Sequence, residues 1–270
     1  MTTTDSSSSG TSAVGGAKLQ HHRQREIYML ALRSGAVDVA DLARRFDVTT
    51  ETIRRDLSDL QQRQLLKRVH GGAVPFERHH HEPMLDARDM LNAEEKLRIG
   101  REAIHQVPAH GSVIVDSGST GQRFAEVFPV DRHVHVVTNS LLTAATLVRR
   151  GVNELTVLGG GVRTNTFAMV DASTVAAVRA LRVDVLFISC DGLSFPRGLT
   201  TPYRDESALK RAMIESARRV VALVDHSKFG NDQMFSYAAL DEIDVLITDT
   251  LIDDDTLMVL AEHDLEVRRA

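Results

Sequence analysis

The stretch Val48-Thr49-Thr50-Glu51-Thr52-Ile53-Arg54-Arg55-Asp56-Leu57 decides how the first quarter of this chain folds. At about 100° per residue, Ile53, Leu57 and Leu60 share one helix face, while Glu51, Arg54, Arg55 and Ser58 project from the other. A hydroxyl from Thr49 or Thr50 supplies the N-cap, and the pattern runs to about Leu65. Upstream, Ile27, Leu30 and Ala31 recur at helical spacing before a stop at Gly35, and Leu42 and Phe46 recur within Val39 to Phe46. Three short helices, the third exposing Thr and Arg after a tight connection at Asp47 and Val48, have the layout of a helix-turn-helix with a reading helix. Leu66 to Val74 alternates apolar and basic residues around Gly71 and Gly72 and exits at Pro75, a small hairpin whose Lys67, Arg68 and His70 would form a wing beside a DNA backbone. On charge and periodicity alone, a merely solvated helix face explains Arg54 and Arg55 equally well.

The rest of the composition fits a two-domain globular chain: 270 residues, 43% hydrophobic and 26% charged. Net charge is −5, but residues 1–75 hold 11 Lys and Arg against 8 Asp and Glu, whereas residues 76–270 hold 21 against 29. A small basic unit precedes a larger acidic one, which suits nucleic-acid binding by the first. No apolar run approaches the roughly 18 residues of a membrane span, Val220 to Val224 being the longest candidate, so no membrane association is expected. Met1 to Ala17, rich in Ser, Thr and Gly, lacks the apolar core of a secretory signal, and residues 1–19 are expected to be a disordered tail. A single cysteine, Cys190, excludes an internal disulfide framework, so the expected location is cytoplasmic.

Residues 20–75 thus form the helix-turn-helix domain, residues 76–91 a charged, His-rich linker without a clear period, and residues 92–270 a second domain. Asn92 with Glu95 reads as a capping box opening a helix whose stripe is Leu97, Gly100, Ile104 and Val107. Short apolar runs then alternate with helical segments: Ser112 to Val115, His133 to Val137, Leu155 to Leu158, Val183 to Ser189, Val220 to Val224 and Val245 to Thr248. That alternation predicts an α/β domain with a mainly parallel sheet covered on both faces. In such a sheet the junctions after the strands share one carboxyl edge, where ligands bind. They are Asp116-Ser117-Gly118-Ser119-Thr120, Thr138-Asn139-Ser140, Gly159-Gly160-Gly161 with Arg163, and Cys190-Asp191-Gly192. Further on, Gly198-Leu199-Thr200-Thr201 leads to Glu206 and Lys210, one helical turn apart, and Asp225-His226-Ser227-Lys228 follows the fifth strand. The first loop, at a helix start, suits an anion. Glu206 and Lys210 alone would read as a surface i, i+4 pair. His79, His80, His81 and Glu82 are adjacent in a linker and poorly placed to share a metal, Cys190 reads as a core thiol, and Asp253-Asp254-Asp255 as a solvated helix start.

Taken in order, Thr52-Ile53-Arg54-Arg55-Asp56-Leu57, Arg68-Val69-His70-Gly71-Gly72-Ala73, Thr138-Asn139-Ser140 and Ser227-Lys228-Phe229-Gly230 resemble the DeoR family of bacterial transcription regulators, over residues 20 to about 250. The resemblance implies a winged helix-turn-helix in which Thr49, Thr50, Thr52, Arg54 and Arg55 read bases, with Glu51 accepting from a cytosine amino group or lying beside the duplex. It implies a sensor domain similar to ribose-5-phosphate isomerase, binding a phosphorylated sugar or polyol. Cys190 stands where the family usually has Ala, and Tyr203-Arg204-Asp205 is more charged than usual. The expected effector contacts are Asp116, Ser117, Gly118, Ser119, Thr120, Thr138, Asn139, Ser140, Gly160, Gly161, Asp191, Gly192, Glu206, Lys210 and Lys228, with Lys210 or Lys228 on the phosphate. No catalytic residue, cofactor or metal is expected. The partners are a double-stranded DNA operator, the effector and further copies of the chain, since one helix-turn-helix covers one half-site. A sugar-phosphate isomerase or lactonase with a fused DNA-binding unit is the competing reading. An RNA-binding adaptor is disfavoured, because only 4% of residues are aromatic.

Overall fold

The computed structural model describes residues 20, 22–31, 34–63, 65–75 and 85–270, so the tail and His79 to Glu82 lie outside the described residues. The chain divides into two compact units, Met1–Leu91 and Asn92–Ala270.

In the first unit, helix α1 (22–31) is followed by Gly35 with φ +76° and the short strand β1 (Val37–Asp38). Asp38 caps α2 (Val39–Phe46) by accepting from the Ala40 and Asp41 N–H groups at 2.8 and 3.0 Å. Helix α3 (Thr50–Gln62) is capped by Thr49, and strands β2 (Leu66–Val69) and β3 (Gly72–Pro75) form the wing. β1 adds to the wing in the order β1-β3-β2. α3 ends before Leu65, the expected end; there the chain turns back, the Leu65 N–H donating to the Leu60 carbonyl at 2.9 Å, and Leu65 is buried. The core is Ile27, Ala31, Leu42, Ile53, Leu57, Leu60, Leu65, Leu66 and Ala73. One charged residue lies within it. Asp56, 1% exposed, accepts from Arg23 Nε at 2.5 Å and Gln24 Nε2 at 3.1 Å, so a carboxylate on the packed face of α3 holds α1. A helix α4 (Leu85–Met90) forms in the stretch that shows no period; Leu85 is buried, and Met90 and Leu91 pack on the same core.

The second unit opens with α5 (Ala93–Ala103), β4 (His110–Val115), α6 (Ser119–Val127), β5 (His133–Thr138), α7 (Leu141–Arg150) and β6 (Leu155–Val157). A hairpin of β7 (Val162–Arg163) and β8 (Ala168–Met169) leads into α8 (Ala172–Arg179) and β9 (Val183–Ile188). After β10 (Gly192–Ser194) and β11 (Gly198–Thr201) come α9 (Arg204–Ser216), β12 (Ala217–Leu223), β13 (Phe235–Ala238), β14 (Val245–Thr248), α10 (Asp254–Leu260) and β15 (Glu266–Arg269). The main sheet has seven strands in the order β15-β14-β12-β9-β4-β5-β6, every pairing parallel. Alternate residues explain its unbroken apolar runs. Val113, Val115, Val185, Phe187, Val221 and Leu223 pack with α5 and α6, while Ile114, Leu186, Ile188, Val220 and Ala222 pack with α8 and α9. The chain leaves β4 in one direction and, after β6, returns beside it at β9 to continue in the other, so the topological switch point lies between β4 and β9.

Two readings of the sequence require correction, and one strand was not anticipated. Asn92 makes no side-chain cap on α5; it is left-handed (φ 53°), and its Nδ2 donates to Asp225 Oδ1 at 2.8 Å. The buried stripe of α5 is Lys96, Ile99, Gly100 and Ala103, with Leu97 only half-buried, because α6 packs on a face turned from the expected one. Gly198-Leu199-Thr200-Thr201 is a strand, in a small antiparallel sheet β10-β11-β13 whose Gly192 lets the Asn231 carbonyl oxygen come within 2.0 Å of where a Cβ would stand.

Asp56→Ala should lower the stability of the first unit by about 3 kcal/mol, the scale for deleting one partner of a buried charge pair. Asp56→Asn, which keeps an acceptor, should cost less. Urea unfolding of both variants, followed by helical circular dichroism, checks the order; equal and small losses would show that the pair does not hold α1.

Candidate functional site

The outward face of α3 presents Thr50, Glu51, Arg54 and Arg55 to solvent while Ile53, Leu57 and Leu60 are fully buried. Thr49 Oγ1 caps the helix by accepting from the Thr52 N–H at 3.2 Å and lies 2.9 Å from Thr52 Oγ1, so these two hydroxyls shape the helix start. Arg54 stands 3.6 Å from Glu51, an exposed contact that duplex phosphates or bases can displace at little cost. Lys67, Arg68 and His70 are exposed on the wing. The Arg68 N–H donates to Gln61 Oε1 at 2.9 Å and its guanidinium to Ser58 Oγ at 3.0 Å. Those bonds tie the wing to α3, a role the sequence did not signal.

The second unit gathers a cluster of buried polar residues at the carboxyl ends of β4 and β9. Asp116 and Lys210, 1% and 2% exposed, form an ion pair there. Lys210 Nζ also donates to the Ser189 carbonyl at 2.8 Å and lies 3.7 Å from Glu206 Oε1. Burial works against the ammonium, but the Asp116 and Glu206 carboxylates outweigh it and hold its pKa above the ordinary lysine value. Glu206, also buried, accepts from Arg163 at 3.1 Å, and the Arg163 guanidinium lies 4.3 Å from the centre of the Tyr203 ring. Glu206 and Lys210 are therefore no surface pair. Tyr237 donates to the same Ser189 carbonyl at 2.8 Å, and burial among carboxylates pushes its phenol well up. Ser189 and Tyr237 were missed because each stands singly within an apolar run.

The neighbouring loops are built largely by bonds among themselves. Asn139 Oδ1 accepts from the Ser117 N–H at 3.0 Å, and its Nδ2 donates to Ser117 Oγ and to the Met169 carbonyl at 3.3 and 3.2 Å. Ser140 caps α7 through the Thr143 N–H, and Thr138 Oγ1 accepts from the Ser140 N–H, both at 3.2 Å. Ser117, Ser119 and Thr120 are buried around the start of α6, where Gly118 offers no side-chain cap. The Gly161 N–H donates to Asp171 at 2.6 Å, which keeps the Asp171 carboxyl well below the usual range and commits that N–H to a turn. Asp191 accepts from Thr201 Oγ1 at 2.8 Å, and Lys228 is half-buried. Asp225 is 1% exposed; burial opposes its ionisation, but Lys96 and Lys228 outweigh it and lower its pKa. Cys190 is buried and its thiol pushed up to about 12 by that burial, as for an inert core thiol.

Residues 23–79 match the DeoR-like helix-turn-helix domain and residues 91–250 the DeoR C terminal sensor domain. The chain belongs to the DeoR family. It is 34% identical over 238 residues to the HTH-type transcriptional regulator GlpR of Haloferax volcanii, covering 88% of this chain and 93% of that one. It is 30% identical over 248 residues to the glycerol-3-phosphate regulon repressor of Escherichia coli strain K12, covering 92% and 98%. Among solved structures it is similar to ribose 5-phosphate isomerase A of Methanocaldococcus jannaschii, at a TM-score of 0.39 and 18% identity over 51% of this chain and 55% of that one. Both parts of a DeoR regulator, a DNA reader and a sensor, thus lie in one chain.

Lys210→Met should cost about 3 to 5 kcal/mol, because it leaves the Asp116 carboxylate buried and unpaired. Folding raises the Lys210 pKa, so the stability it contributes is whole below the ordinary lysine range and is withdrawn only as pH climbs above it. Urea titrations of wild type and variant at neutral pH check this; a loss under about 1 kcal/mol would mean that the ammonium is not needed for folding.

Proposed function

We propose that this DeoR-family protein is a repressor of sugar or polyol catabolic genes, released from its operator when a phosphorylated sugar or polyol binds at the carboxyl ends of β4 and β9. The observation that supports the effector half is the start of α6: a helix end with no side-chain cap, ringed by buried Ser117, Ser119 and Thr120 at the topological switch point. Backbone N–H groups and the helix dipole favour a phosphate there. Lys228 lies along the same edge, whereas Lys210 is taken up by Asp116, Ser189 and Glu206 and serves as the structural cation of the site. The hydroxyls of the ligand would fall to Asp191 and the Thr138 to Ser140 loop, with Gly160 and Gly192 lining the approach. The name of the Escherichia coli relative makes glycerol 3-phosphate the first ligand to try.

Binding without turnover is the reading that Lys210 favours. Its ammonium is no base at neutral pH, and the carboxylates that could serve as one, Asp116 and Glu206, are both engaged in ion pairs. Mixing the protein with ribose 5-phosphate, with product followed over hours, should therefore show no isomerisation. Release of DNA requires that the ligand prefer the form that does not bind the operator, and a coupling of roughly 5- to 150-fold in affinity is the usual range. One recognition helix covers one half-site, so the working species is a homo-oligomer in this proposal, and sedimentation of the full chain tests it.

Arg54→Ala or Arg55→Ala should cost about 1 to 3 kcal/mol on a duplex selected from a random pool, the value of a bidentate contact to guanine. Lys67→Ala should weaken all duplexes alike and reduce the salt slope by about one. Gel-shift titrations at two salt concentrations separate these outcomes, and unchanged affinity in both arginine variants would remove α3 as the reading helix.

A further inference from the structure

The β7–β8 hairpin belongs to neither larger sheet and links the β5–α7 junction to the start of α9. Its return strand is fastened to the β5–α7 junction: the Leu141 N–H donates to the Phe167 carbonyl at 3.0 Å, the Met169 N–H to the Asn139 carbonyl at 2.8 Å, and Ala168 bridges to Ser140. Its outgoing strand ends on the first turn of α9, where Arg163 meets Tyr203 and Glu206. The root is a tight turn at Gly160, φ +141°, where a Cβ would fall 2.3 Å from Thr174 Oγ1. The hairpin is thus a strap tied by backbone at the β5–α7 junction and by the Arg163 guanidinium at the start of α9.

We infer that Arg163 is a ligand-contacting residue, which exchanges Glu206 for the phosphate of a bound effector. This rests on the reading of this edge as a phosphorylated-ligand site. Among the cations at this edge, Lys210 is committed and 2% exposed, whereas the Arg163 side chain keeps 23% exposure and its ion pair is reachable from solvent. Carboxylate and phosphate are both matched by the planar fork of a guanidinium, and the Tyr203 ring fixes the plane of that fork through the exchange. Glu206 is not orphaned when Arg163 leaves, because Lys210 Nζ is already 3.7 Å away. The alternation Arg163, Glu206, Lys210, Asp116 lets one negative charge replace another at its outer end while the buried end stays paired.

The test uses the full-length chain and three probes, inorganic phosphate, glycerol 3-phosphate and ribose 5-phosphate, with affinities from isothermal titration and melting temperatures of the ligand-free proteins. Arg163→Gln should weaken the tightest-binding probe by about 10- to 100-fold, the range for a charge-assisted bond. Arg163→Lys, which keeps the charge without the fork, should recover part of that loss. Glu206→Gln frees the guanidinium, so it should tighten the same probe several-fold in the wild-type background and far less in the Arg163→Gln background, a coupling that a mere fastener of the strap would not give. If wild type binds a probe and Arg163→Gln binds it equally well, or the two substitutions show no coupling, Arg163 is a fastener and the inference fails. If wild type binds none of the three probes, the phosphorylated-ligand reading itself falls, and this inference with it.

Discussion

The Lys210 ammonium is a full positive charge that water does not reach, and the sensor unit is organised around satisfying it. An ion in such a place is tolerated only if its partners are close and well aligned. Asp116 comes from the end of β4, the Ser189 carbonyl from the end of β9, and Glu206 from the same helix as the lysine, one turn earlier. Those are the two strands between which the chain reverses direction across the sheet. The charge therefore joins the two halves of the sheet where open α/β folds leave a crevice, and the uncapped start of α6 lies directly after Asp116 and Ser117.

A smaller version of the same constraint operates in the first unit. Asp56 lies among the apolar residues of α3 and draws Arg23 and Gln24 of α1 onto it, which fixes the roll of α3 against α1. With the roll fixed, Arg54 and Arg55 face outward and the wing is set beside them by Arg68. In both units the buried charges orient and the exposed charges remain available to a partner. That division follows from desolvation: a charge already stripped of water and paired has little left to offer a ligand, while an exposed one loses little by changing partners.

Much of this was legible from periodicity. Six of the seven strands of the main sheet announce themselves as apolar runs; for the five inner ones the reason is that a strand buried on both faces has few polar positions, while the edge strand β6 shows through Leu155, Val157 and Leu158. β15 did not, since Glu266, Arg268 and Arg269 lie at the sheet edge where one flank is open, and its half-buried Val267 is a lone apolar residue. The sheet β10-β11-β13 was hidden for a different reason: its strands are three or four residues long, and Gly192 and Gly198 read as loop. The shift of the α5 stripe shows a third limit, because adjacent helical positions differ by about 100° and the neighbour that selects a face, here α6, lies in another part of the chain.

The sequence by itself determined the order of elements, the two-unit division around Asn92, the family, and the loops that share the carboxyl edge, because all of these are written in local spacing and residue type. Only the tertiary structure decided which charges are buried and already paired and which stay within reach of solvent. Lys210, Lys228 and Arg163 all read in the sequence as basic residues beside the same edge. Burial leaves the first paired on three sides, the second half-buried near the edge and the third at the outer end of a charge chain. That difference comes from Asp116, Ser189 and Glu206, residues 94, 21 and 4 positions from Lys210, meeting at one point, and no local pattern encodes such a meeting.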